Sequence, residues 1–114
     1  METKNLLDKL VEILDGKKAE DIKVMYVAPA TNVADYFVIC TANSPIHADA
    51  LTSDLENWLD VNDIEYRSEG DLTSWKLIDV GSIIVHIFSP EARGYYRVEE
   101  FWEKLLKLAE HKRL

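Results

Sequence analysis

The sequence predicts an α+β domain, a mixed β-sheet of about five strands flanked by helices. Three observations carry this expectation. Leu6 to Leu14 and Ala48 to Leu59 place apolar residues at helical spacing. Asp35-Tyr36-Phe37-Val38-Ile39-Cys40-Thr41 is aromatic, β-branched and nearly all apolar, which suits the centre of a sheet covered on both faces. The second helix separates that strand from two later ones, so one pairing is a parallel crossover, while the later two are close enough for an antiparallel hairpin.

Each element has a local reason. Thr3 is a plausible N-cap for a first helix carrying Leu6, Leu7, Leu10, Val11 and Leu14, and Gly16 is its stop. Lys17 and Lys18 sit at that end, where they complement the helix dipole. A short strand is expected at Lys23–Val27, and Pro29 to Asn32 reads as a turn. Asn43-Ser44-Pro45 announces a second helix, a capping residue followed by Pro at the first helical position. It should run to Val61 or Asn62. Ala48, Leu51, Leu55, Trp58 and Leu59 share one face, with Asp49, Glu56, Asp60 and Asp63 opposite. Ile64–Arg67 reads as a short strand entering a loop, Ser68 to Ser74. Trp75–Asp79 and Ser82–Phe88 read as strands joined at Val80-Gly81. After Ser89-Pro90-Glu91 a last helix carries Val98, Phe101, Trp102, Leu105 and Leu106 at core spacing. One domain, residues 1–114, accounts for a chain this short.

Composition excludes several function classes. The chain holds 21 Asp and Glu against 13 Lys and Arg, a net charge of −8, which opposes broad affinity for nucleic acid phosphates. The charge is unevenly placed: from Val24 to Glu65 there are seven acids and no Lys or Arg. The acidic helix stripe reads either as a solvated face or as a docking face for a basic partner. One cysteine, Cys40, excludes an internal disulfide framework and suggests a reducing compartment. No apolar run approaches the roughly 20 residues of a membrane span, and no export signal is visible, so a cytoplasmic setting is expected.

Little catalytic chemistry is available. There is no GxxxxGK[ST], GxGxxG or GxSxG, and no pair of histidines at ligand spacing. No catalytic residue, metal or cofactor is expected. His86, between Val85 and Ile87, reads first as a satisfied buried residue. His47, just inside the second helix, is open either to partner contact or to capping. Cys40 reads as an inert buried thiol. Strand alternation puts Trp75, Leu77 and Asp79 on one face. Trp75 reads equally as an interface hot spot or as the edge of the core. Arg93-Gly94-Tyr95-Tyr96-Arg97 is a basic, aromatic cluster suited to protein contact or to anchoring the last helix.

Three segments together resemble the ribosomal silencing factor family (RsfS, YbeB or Iojap-like). They are Asp35 to Ser44; Glu69-Gly70 with Trp75 to Phe88; and Arg93 to Trp102. The composite of EG, W, D-x-G, VH and R-x-x-Y-x-x-E-x-x-W spans nearly the whole chain. Ala42 departs from the family's usual Gly, and Ser82 from its frequent Asp. The resemblance implies an αβ sandwich with a nucleotidyltransferase-like mixed sheet, often homodimeric. It implies binding to the large ribosomal subunit through its fourteenth ribosomal protein, which blocks subunit joining and represses translation, and an association with large-subunit maturation. The contact surface it suggests is Trp75 as apolar anchor, Leu77 beside it, Asp79 and Glu69 as acids, then Tyr95, Tyr96 and Arg93, and last His47 with Asp49 and Glu56. A nucleotidyltransferase activity is disfavoured, because no D-x-D or D-x-E supplies paired metal-binding carboxylates.

Overall fold

A computed structural model describes residues 1–112; the expected domain end at residue 114 lies outside the described residues. The elements are α1 (Thr3–Gly16), β1 (Glu20–Tyr26), β2 (Tyr36–Thr41), α2 (Pro45–Val61), β3 (Arg67–Gly70), β4 (Trp75–Asp79), β5 (Ile83–Phe88), α3 (Pro90–Tyr96) and α4 (Val98–Lys112). The strands form one sheet in the order β1-β2-β5-β4-β3. β2 and β5 run parallel, and the other neighbours are antiparallel. β2 lies inside the sheet and buries every residue but Tyr36, as a strand apolar on both faces must.

Helices α1 and α2 cover one face. Leu6, Leu7, Leu10 and Leu14 of α1 and Ala48, Leu51, Leu55 and Leu59 of α2 meet Val38, Cys40, Ile78, Val85 and Ile87. Each fully buried leucine contributes about 2 kcal/mol of transfer free energy. Ser44 caps α2 by accepting from the His47 backbone N–H, with Pro45 following. α3 and α4 lie on the opposite face, where Met25, Phe37, Ile39 and Phe88 meet Ala92 and, less completely, Val98, Trp102 and Leu106.

Several elements depart from the sequence reading. Glu2, not Thr3, occupies the N-cap of α1, and no side chain caps it. β1 starts earlier than Lys23, through an irregularity at Asp21, whose φ is 47°. The third strand is Arg67–Gly70, not Ile64–Arg67. Ile64 and Tyr66 are partly buried against the α1/α2 core, and the residues after them take the pairing with β4. α3 was not expected as a separate helix. Ser89 caps it by accepting from the Ala92 N–H, with Pro90 at its start, the same signal that opens α2. Arg97, in the left-handed conformation at φ 48°, breaks the path between α3 and α4. Phe101, expected in the core, is 58% exposed, and no α4 side chain described is buried. No helix among the described residues is long and apolar enough to cross a membrane.

Candidate functional site on the open sheet face

Cross-strand register determines which side chains share the α4 face. Residues directly opposite each other on paired strands project from the same side. Glu69, Leu77 and His86 form one row across β3, β4 and β5; Arg67, Asp79 and Ile84 form the next; Trp75 pairs with Phe88. α4 lies over the β1–β2 side, where Trp102 meets Phe37 edge to face at 4.9 Å and Glu103 pairs with Lys23. The β4 side of the face is left half-open, with Trp75, Leu77, Asp79 and Ile84 all partly exposed.

A built turn delivers Trp75. Asp71 Oδ1 accepts from the backbone N–H groups of Thr73 (2.8 Å) and Ser74 (3.0 Å). The Thr73 hydroxyl, which also donates to Oδ1, and then these backbone bonds hold the Asp71 carboxyl below its usual range. The indole of Trp75 then stacks on Phe88 at 4.8 Å and meets Tyr96 of α3 at 4.9 Å. Tyr95 packs edge-on against Tyr96 at 5.0 Å. With Tyr95 79% and Tyr96 49% exposed, the aromatic surface continues from the sheet onto α3. Large apolar surface left in water is characteristic of interaction sites.

The acids stand at the rim. Glu69 is exposed and lies 3.5 Å from Arg67. Asp79 commits Oδ1 to the Gly81 N–H at 2.7 Å, closing the β4–β5 turn, in which Gly81 has φ 92°. Beyond that turn, an open depression of about 800 Å³ is lined by Asp60, Asp63, Glu65, Tyr66, Arg67 and Asp79, among others.

The structure therefore brings Trp75, Leu77, Asp79, Glu69, Tyr95 and Tyr96 onto one face or its border. Two expected residues point elsewhere. Arg93 donates to Thr41 Oγ1 at 2.9 Å and to Glu99 at 2.7 Å; it joins α3, β2 and α4 and holds the Glu99 carboxyl below its ordinary value. His47 lies at the start of α2, on the other face. Its Nδ1 accepts from the Asn43 N–H at 2.9 Å, and its Nε2 is 2.8 Å from the Lys17 carbonyl. Both ring nitrogens are thus engaged: Nδ1 closes the turn that opens α2, and Nε2 ties α2 to the end of α1. Of the stripe, Asp49 is exposed, and Glu56 accepts from Ser68. Ile84 belongs to the open face and was not singled out, and Phe101 of α4 is exposed where core spacing was expected. Alternation along β5 with His86 and Phe88 marks Ile84, whereas helical spacing alone cannot separate Phe101 from its partly buried neighbours. Cys40 is buried, which pushes its thiol up to about 12 despite nearby Arg93. Among the described residues, no three or more His, Cys, Asp or Glu are placed to hold a metal ion.

The fold and this face define a small α+β domain with a partly exposed apolar face rimmed by acids. The model of the family "Ribosomal silencing factor during starvation" matches residues 1–113. The chain is 36% identical over 104 residues to ribosomal silencing factor RsfS of Bacillus subtilis, covering 90% of this chain and 88% of that protein. It is 34% identical over 101 residues to the mouse protein named mitochondrial assembly of ribosomal large subunit protein 1, covering 84% of this chain and 44% of that one. A crystal structure from Chromobacterium violaceum superimposes with a TM-score of 0.85 at 27% identity, covering 90% of this chain and 88% of that chain. The chain belongs to the ribosomal silencing factor family, which is a family of regulatory proteins.

Proposed function

We propose that the protein binds the large ribosomal subunit at its intersubunit face, through its fourteenth ribosomal protein, and sterically blocks joining of the small subunit, so repressing translation in the cytoplasm. The observation that carries this reading is the half-open face of Trp75, Leu77 and Ile84 with Glu69 and Asp79 at its rim. An apolar anchor ringed by acids complements a basic ribosomal protein, and opposite potentials steer the encounter. Bare ribosomal RNA is a poor ligand for so acidic a chain. The mechanism needs occupancy alone, with no catalysis, metal or cofactor.

The test is a subunit-association assay with purified ribosomal subunits. The wild-type protein should hold 30S and 50S particles apart, and Trp75→Glu should fail to do so and fail to co-sediment with large subunits. Unchanged binding by a folded Trp75→Glu variant sinks the site assignment.

A part in assembling the large subunit is a second reading, favoured by the name of the mouse relative. Depletion would then leave immature large-subunit particles. Self-association belongs to the same family reading, and the exposed Phe101 and Leu108 of α4 supply apolar area for it; sedimentation velocity distinguishes a homodimer from a monomer.

A further inference from the structure

His86 lies beneath Trp75 and is only 5% exposed. The Trp75 indole Nε1 is 3.2 Å from His86 Nδ1. An indole nitrogen only donates, so Nδ1 accepts and the imidazole proton resides on Nε2. That Nε2–H meets no hydrogen-bond partner among the described residues. The ring is walled by Phe37, edge-on at 4.6 Å, and by Phe88, parallel to within 9° at 6.2 Å. Burial pushes its pKa down to about 4, which keeps the acceptor lone pair on Nδ1 available at neutral pH.

This arrangement disfavours the fold locally. A buried N–H without an acceptor is destabilising, whereas an apolar side chain of similar shape would leave nothing unpaired. What the imidazole supplies in return is one directional bond to the large aromatic side chain of the open face. Stacking on Phe88 and contact with Tyr96 restrain the plane of the indole; the bond to Nδ1 determines which way its edge faces.

We propose that His86 is a positioning residue for Trp75, holding the indole in a single orientation and engaging its N–H internally, so that a docking partner meets Trp75 through the part of the ring left open and not through a hydrogen bond. The inference rests on the reading of the Trp75 face as the docking surface. The partner group that fits is an aliphatic chain ending in a cation, a lysine or arginine laid on the indole, since the ring offers only apolar area and a negative π-face. Preorganising the anchor lowers the ordering cost of association.

The test compares His86→Phe, which keeps an aromatic ring but no acceptor, with His86→Asn, which returns an acceptor near the Nδ1 position. Purified large subunits are the probe, and ¹H–¹⁵N spectra of the free protein, with the Trp75 indole resonance assigned through Trp75→Phe, report the bond directly. His86→Phe should weaken binding about tenfold, the scale of one hydrogen bond, and expose the Trp75 indole proton to rapid exchange. His86→Asn should recover both exchange protection and most of the affinity. If His86→Phe does not fold, His86→Leu provides the same comparison. Wild-type affinity in a folded Phe or Leu variant, while Trp75→Glu does not bind, overturns the positioning role and leaves the docking face standing. Restored protection without restored affinity in His86→Asn overturns it as well. Unchanged binding by Trp75→Glu overturns the docking face and this proposal with it.

Discussion

The backbone of Gly70 passes so close to Trp75 that a Cβ on the glycine would lie 2.0 Å from the Trp75 carbonyl oxygen. Gly70 also has φ 86°, a conformation that side-chain-bearing residues rarely adopt. The glycine is therefore required by the turn that presents the tryptophan. Gly70→Ala should destabilise the fold by about 2–4 kcal/mol, adding a backbone clash to left-handed strain. Gly81→Ala meets the same kind of strain at φ 92° but open space, and should lose only about 1 kcal/mol. Urea denaturation of the two variants checks the contrast.

The hold of α4 on the sheet is slight. It rests on the Phe37–Trp102 contact, the partial packing of Val98 and Leu106, the Lys23–Glu103 pair and the bond from Arg93 to Glu99. Trp102→Ala should destabilise by about 2 kcal/mol, less than for a fully buried aromatic. Hydrogen exchange should show α4 opening before α1 and α2, because it buries the least apolar surface. Equal protection of α4 and α2 would contradict this.

Acid should weaken the fold in two stages. The folded-state pKa of His86 is lowered from 6.5 to about 4, so between those values the unfolded chain binds a proton that the folded chain refuses. Stability is complete above the unfolded value and falls as pH drops through the window, by up to about 3 kcal/mol. The Glu99 carboxyl, lowered chiefly by its bond from Arg93, adds a loss below the ordinary carboxylate range, as pH falls through its folded value. Denaturation curves across this range check both. His86→Leu should abolish the first stage and keep the second.

Asp79 has two roles that substitution can separate. Asp79→Asn retains the side-chain oxygen that accepts from Gly81 and removes the charge. It should leave stability near wild type and reduce binding to large subunits. Asp79→Ala should reduce both, with about 1 kcal/mol lost from the turn. Glu69→Lys, on an exposed side chain, should lower the association rate and its sensitivity to salt without altering stability.

Much of the sheet was legible because alternation and apolar runs are local properties. Tyr36–Thr41, Trp75–Asp79 and the capped start of α2 fall where the pattern puts them. Alternation also placed Trp75, Leu77 and Asp79 on one face. β3 was misplaced because Ile64 and Tyr66 carry strand-like side chains yet pack on the core, while the polar Arg67–Gly70 forms the ladder. An edge strand takes its pairing from its neighbour's free backbone groups, so its own composition says little. α3 was obscured by Gly94 and the tyrosines, although Ser89-Pro90 marks its start.

By itself the sequence determined most of the element types, with α3 the exception, together with the parallel crossover between the central strands, the acidic balance and the family pattern. These depend on periodicity, capping and composition, which are read along the chain. Only the tertiary structure decided how far α4 reaches across the sheet, and so that Trp75, Leu77 and Ile84 remain partly open while Phe37 is covered. It alone directed Arg93 to Thr41 and Glu99, turned both nitrogens of His47 inward, and set the ring of His86 under the indole of Trp75. The Arg93–Thr41, His47–Lys17 and His86–Trp75 contacts join different elements; strand register and helix placement form them, and no local pattern encodes them.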